Sequence, residues 1–177
     1  MGLPCDDKEA VLIRLVSILE SAKTPYAVIG GVAMQLYTDE PRTTLDVDIA
    51  LRSYDDLPRA ELQAAGFTPE GAHEWTENGR GPAVSSTPLK RRIAAQFSAR
   101  DPMPSAVDHA ELSRVGSFSL RLVALPDLVL LKLVAAEDPR RRASKRIHDK
   151  ADVVRLLEEH PELASPEVRA RLDRIRL

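Results

Sequence analysis

The chain carries a single cysteine, Cys5, in 177 residues. One thiol excludes an internal disulfide framework and any multi-cysteine zinc site. The four histidines, His73, His109, His148 and His160, are dispersed without metal-ligand spacing, which argues further against a zinc enzyme. Aromatic residues make up only 4%, so aliphatic side chains must dominate the core. No apolar run approaches the roughly 18 residues of a membrane span. The stretch from Met1 to Lys8 is acidic and lacks a signal-peptide pattern, and Asp6 stands where a myristoylation motif wants Ser or Thr. The expectation is a cytoplasmic protein. Charge of one sign is not in excess either: 25 basic against 27 acidic residues give a net charge of −2. Such a chain is no polycation, and contact with nucleic acid would need a local basic patch. Ser85, Ser86 and Ser98 lack the Gly-x-Ser-x-Gly setting of a hydrolase nucleophile. Neither Gly-x-Gly-x-x-Gly nor a P-loop Lys-Ser/Thr occurs.

What is present reads as a mixed succession of strands and helices. Asp6 or Asp7 caps a first helix with Val11, Leu12, Leu15, Val16 and Leu19 at helical spacing, ended by Thr24-Pro25. Tyr26 to Ile29 reads as a short buried strand, and a helix to Tyr37 begins at Gly30-Gly31. Leu45 to Leu51 alternates as a strand, Asp56 to Ala65 reads as a helix, and Phe67 to Pro88 as short strands and loops. Leu89 to Ser98 reads as a strand, Pro104 to Leu112 as a short helix, and Phe118 to Ala124 as a strand. From Pro126 onward the pattern is helical, over 128–136, 144–160 and from Pro166 to the end. The expected fold is α/β (α+β), a mixed sheet flanked by helices with a C-terminal helical cap. Residues 1–124 form the core and 125–177 a helical region packed on it, in one compact unit.

The strand from Leu45 to Leu51 carries the chemistry. Period-two alternation puts Asp46 and Asp48 on one face, about 7 Å apart, with Leu45, Val47 and Ile49 toward the core. Adjacent carboxylates repel, and Asp is a poor strand former. A divalent cation relieves both problems, and Mg²⁺ favours one or two carboxylates plus phosphate oxygens. A solvated edge strand would also tolerate the pair. Gly30-Gly31 sits between a buried strand and a helix, where bare backbone N–H groups and the helix dipole can hold a phosphate. Alone, two glycines are more often a tight turn. Followed by Asp-x-Asp on the next strand, they are far more specific.

Ile29-Gly30-Gly31-Val32-Ala33 with Arg42-Thr43-Thr44-Leu45-Asp46-Val47-Asp48-Ile49 resembles the polymerase-β-type nucleotidyltransferase superfamily, and within it the AbiEii-like toxin group. Leu130 to Ala136, with Lys132, and His148 to Asp152 resemble that group's downstream motifs. The resemblance implies metal-dependent transfer of a nucleoside monophosphate from an NTP to an acceptor hydroxyl. It assigns Gly30, Gly31, Arg42, Thr44 and Lys132 to the nucleotide, Asp46 and Asp48 to Mg²⁺ (or Mn²⁺), and Lys132 and Asp149 to the catalytic set. Asp152 follows Asp149 on the same helix face. Without the resemblance, Lys132 reads equally as a snorkelling side chain, and Asp149 and Asp152 as a solvated face.

One departure matters. The superfamily's third carboxylate would fall on the strand Arg92 to Ser98, at Ala94. Its loss would weaken activation of the attacking hydroxyl while leaving nucleotide binding in place, and general-base losses are about 10²- to 10⁴-fold. The sequence therefore supports an enzyme using another acid such as Asp149 or Asp101, a slow enzyme, or a degenerate nucleotide-binding protein. The expected partners are an NTP, an RNA or tRNA, protein or small-molecule acceptor, and a cognate antitoxin. The basic run Arg140 to Arg146 could grip RNA phosphates or an NTP tail, or be a solvated loop. Arg42 could meet a phosphate or pair with Asp39 or Glu40.

Overall fold

The computed structural model describes residues 6–39, 46–77 and 93–175. Arg42, Thr44 and Leu45 lie outside them, as do Cys5 and Leu89 to Arg92. The chain opens with helix α1 (Asp6–Ser21), whose Leu12, Leu15 and Leu19 are wholly buried. Strand β1 (Tyr26–Ile29) runs directly into helix α2 (Gly30–Tyr37), and β2 (Val47–Leu51) returns antiparallel to β1. A 3₁₀ turn, Tyr54–Asp56, is closed by a capping box between Ser53 and Asp56 and precedes α3 (Arg59–Ala64). Strands β3 (Phe67–Pro69) and β4 (Glu74–Glu77) form a hairpin, followed by β5 (Ala94–Ser98) and α4 (Met103–Asp108). Then come β6 (Glu111–Val115), β7 (Phe118–Leu122) and the helices α5 (Leu125–Glu137), α6 (Ala143–Glu159) and α7 (Pro166–Arg174).

The seven strands make one mixed sheet in the order β3-β4-β5-β2-β1-β7-β6. β2 pairs in parallel with β5, and β1 in parallel with β7, so β1 and β2 lie at the centre. All four residues of β1 are buried, as are Val47, Ile49, Ala50 and Leu51 of β2. Asp48 alone in β2 keeps part of its surface open. The scarcity of aromatics is met as the composition requires: of the twelve largest fully buried side chains, ten are aliphatic and only Trp75 and Tyr26 are aromatic. The fold is thus the expected mixed α/β sheet flanked by helices.

One element differs from the sequence reading. Helix α4 ends at Asp108, and Glu111–Val115, partly assigned above to that helix, is an edge strand. It pairs with β7 alone, through a turn in which Gly116 takes φ +58. Only Val115 of this strand is buried, so there was no alternation to read. The helices after β7 do not stand apart. α5 packs on α6 and also on α2 and α4, while Tyr37 donates its hydroxyl to the Val123 carbonyl at 2.7 Å. Among the described residues no helix is long and apolar enough to cross a membrane.

Candidate nucleotide and metal site

Three segments distant in sequence meet at Asp48. The first is the β1–α2 junction. Gly30 adopts φ +64, a left-handed conformation that costs other L-residues about 1–2 kcal/mol. It also has no room for a side chain: a Cβ there would collide with the Asp48 carboxylate, whose Cγ would lie 2.7 Å away. The Gly31 amide donates to that carboxylate. The glycine pair therefore has a task beyond making a turn, because it admits and orients the strand carboxylate. Ile29 at the N-cap of α2 makes no side-chain bond and no acidic residue lies in the helix's first turn, so the anion at this terminus is the Asp48 carboxylate held by the Gly31 amide.

The second segment is α5. Lys132 is only 9% exposed in a helix otherwise lined by Leu128, Val129, Leu131 and Leu133. A buried ammonium needs partners, and it has two: Asp149 Oδ1 at 3.0 Å and Asp152 Oδ2 at 2.8 Å. Both carboxylates sit on α6 and are 4% exposed, on the same face as buried Val153 and Leu156. Of the two readings open from the sequence, the solvated face does not hold, and the three side chains form a buried ionic seam. The third segment is the α5–α6 loop, where Arg141 donates through Nε to Asp149 Oδ2 at 2.8 Å. The basic run was visible in the sequence, but nothing there distinguishes Arg141 from its neighbours. Arg140 pairs with Asp138 instead, and Arg146 donates to the Ala136 carbonyl at 2.8 Å.

These groups feel one another. Burial pushes the Asp48 carboxyl above the usual range, Lys132 pulls it back, Asp46 pushes it up again, and the Gly31 amide and Arg141 oppose that. Four carboxylates (Asp46, Asp48, Asp149, Asp152) face two cations (Lys132, Arg141), a formal excess of two negative charges. A divalent cation balances that excess. Among the described residues no third His, Cys, Asp or Glu joins the pair to form a three-ligand cluster, so phosphate oxygens would have to complete an octahedral shell. The donor set of Asp46 and Asp48 fits a divalent cation.

The register shows where a third acid could stand. Val47 pairs with Ala95 and Asp48 with Gln96; continued by one residue, that register would set Ala94 opposite Asp46. Ala94 is buried and Gln96 exposed. Of the two substitutes considered from the sequence, Asp149 pairs with Lys132 and Arg141, and Asp101 lies in the turn that follows β5 and leads into α4.

Comparison with known proteins agrees with this fold. Among solved structures, the fold is similar to an antigenic nucleotidyltransferase-like protein from Paracoccidioides brasiliensis (TM-score 0.62, 19% identity, covering 95% of this chain and 87% of that one). It is also similar to a Helicobacter pylori protein (0.58, 17%, 93% and 71%). A third likeness is to the antibiotic-resistance factor ANT(2″)-Ia (0.55, 12%, 96% and 91%). No curated protein matches. Residues 15–176 match the family model described as nucleotidyl transferase AbiEii toxin of a type IV toxin–antitoxin system, and the chain belongs to that family.

Proposed function

We propose that this chain transfers a nucleoside monophosphate from a metal-bound NTP to an acceptor hydroxyl, within a toxin–antitoxin pair. The observation that carries the reading is the meeting of Gly31, Lys132 and Arg141 around the Asp48 carboxylate. A divalent cation, Mg²⁺ or Mn²⁺, held by Asp46 and Asp48 would supply neutralisation of the triphosphate charge. The backbone at Gly30 and Gly31, beside the Asp48 carboxylate, would receive phosphate oxygens at the start of α2. Arg42 and Thr44, which precede β2, add polar contacts to the nucleotide. Lys132, fixed by Asp149 and Asp152, presents positive charge toward Asp48 and the departing pyrophosphate. Asp149 in turn holds Arg141, keeping a second cation at the brim. The acceptor is an RNA such as tRNA, a protein hydroxyl or a small molecule; NTP and RNA acceptors imply work in the cytoplasm.

Ala94 favours a second reading, a nucleotide-binding protein that has lost catalysis. One experiment separates the two. The chain is incubated with each labelled NTP, Mg²⁺ or Mn²⁺, and total RNA, beside Asp46→Ala. Label transfer that disappears in Asp46→Ala supports the enzyme. Stabilisation by NTP without transfer supports the binding protein.

A further inference from the structure

The transferase reading leaves the attacking hydroxyl without a base, since alanine stands beside Asp46. The sheet register supplies a candidate. Asp48 on β2 is paired with Gln96 on β5, and Gln96 in turn with Glu74 on β4. Directly paired residues project from the same face, so Asp48, Gln96 and Glu74 form one row across three strands. The neighbouring row holds Ala94 and Thr76, on the side toward Asp46. Its far end is closed, because Thr76 is buried and donates to Glu70 Oε1 at 2.8 Å. The Asp48 row is open beyond Asp48: Gln96 and Glu74 are exposed, and Glu74 forms no ion pair with any described residue. Two strand spacings separate the α-carbons of Asp48 and Glu74 by about 10 Å. Among the described residues no three-acid cluster forms. The separation leaves space above Gln96 for an alcohol lying between the two carboxylates.

We infer that Glu74 is the acceptor-side base, a carboxylate displaced by one strand from the position that Ala94 has vacated. Its carboxylate takes the proton of the acceptor hydroxyl as that oxygen forms a bond to the α-phosphorus. The bond from the α-phosphorus to the bridging oxygen breaks, and pyrophosphate leaves with the bonding pair. Gln96 beneath the acceptor offers an amide that can donate to the same hydroxyl oxygen. The inference rests on the transferase reading and deepens it.

The test uses the full chain with labelled NTP, metal and the acceptor that takes label. Glu74→Gln should lower kcat by about 10²-fold or more, with KM for the NTP and the NTP-induced thermal shift unchanged. Adding Ala94→Asp to that variant should return a large part of the rate, because it restores an acid one strand nearer. A Glu74→Gln protein within a few-fold of wild type overturns the base assignment and leaves the transferase reading intact. If neither wild type nor Ala94→Asp transfers label, the transferase reading falls, and Glu74 falls with it. An equal loss of NTP-dependent stabilisation in Glu74→Gln would assign Glu74 to nucleotide binding and also overturn the inference.

Discussion

Replacing Lys132 by methionine tests the buried seam between α5 and α6. Methionine preserves the length and apolar stem of the side chain, so the perturbation is the charge. Lys132 neutralises Asp149 at 3.0 Å and Asp152 at 2.8 Å, and both carboxylates are 4% exposed. Removing one partner of a buried ion pair costs about 3–5 kcal/mol, because the other charge is left uncompensated. Arg141 remains on Asp149, which places the expected value toward the lower end. For a chain of this size each kcal/mol moves the midpoint by about 2–4 °C, so Tm should fall by about 6–15 °C. Thermal unfolding without metal or nucleotide measures it. The sign with pH follows from Asp48, whose carboxyl burial already raises and Lys132 lowers. Without Lys132 it rises further, and a carboxyl raised in the folded state costs stability above its folded value and costs none once protonated. The deficit should therefore be larger at pH 8 than at pH 5. Asp152→Asn should soften the effect, making the double variant less damaged than the two single losses added. A Lys132→Met protein that melts within about 2 °C of wild type, with no coupling to Asp152, would refute a buried electrostatic role for Lys132.

Three other outcomes follow from the same geometry. Asp46→Asn removes a charge that pushes the Asp48 carboxyl up, so the metal-free protein should melt no lower than wild type, while stabilisation by metal and NTP together disappears; differential scanning fluorimetry reads both. Gly30→Ala meets an unfavourable φ of +64 and the Asp48 carboxylate; adding about 1–2 kcal/mol for the backbone to 1–3 for the overlap, urea denaturation should show a loss of about 2–5 kcal/mol. Glu137 accepts two bonds from Arg171, at 3.0 and 2.7 Å, and this guanidinium holds its carboxyl below the usual range. Its contribution is present at neutral pH and lost as pH falls through the lowered value. Because the pair is partly solvated, Glu137→Gln should cost only about 0.5–1 kcal/mol at pH 7, a difference that shrinks as pH falls through the lowered value.

How much could be read in advance depended on whether a feature leaves a period in the chain. β2 did, since apolar Val47 and Ile49 bracket Asp48, and the central strand lies as its alternation required. The junction of β1 and α2 was visible because two glycines interrupt an apolar stretch. β6 was not, because an edge strand with one buried residue imposes no alternation. The depth of Lys132, Asp149 and Asp152 was equally hidden. Their types and spacing fit an exposed helix face, and only the packing of α5 on α6 turns that face inward. The orientation of Arg141 depends on the same packing. The row from Asp48 to Glu74 crosses three strands, two of them joined by a long connection, so no local pattern could contain it.

The lodging of a carboxylate against a backbone that has no side chain makes two positions interchangeable only as a unit. Bulk at residue 30 requires the acid at residue 48 to move or shorten, whereas loss of the acid removes the steric bar and leaves residue 30 only the backbone cost of its φ of +64. The dependence therefore runs more strongly one way, from the acid to the glycine, and a side chain at residue 30 would disturb the charge balance of the site without touching a charge.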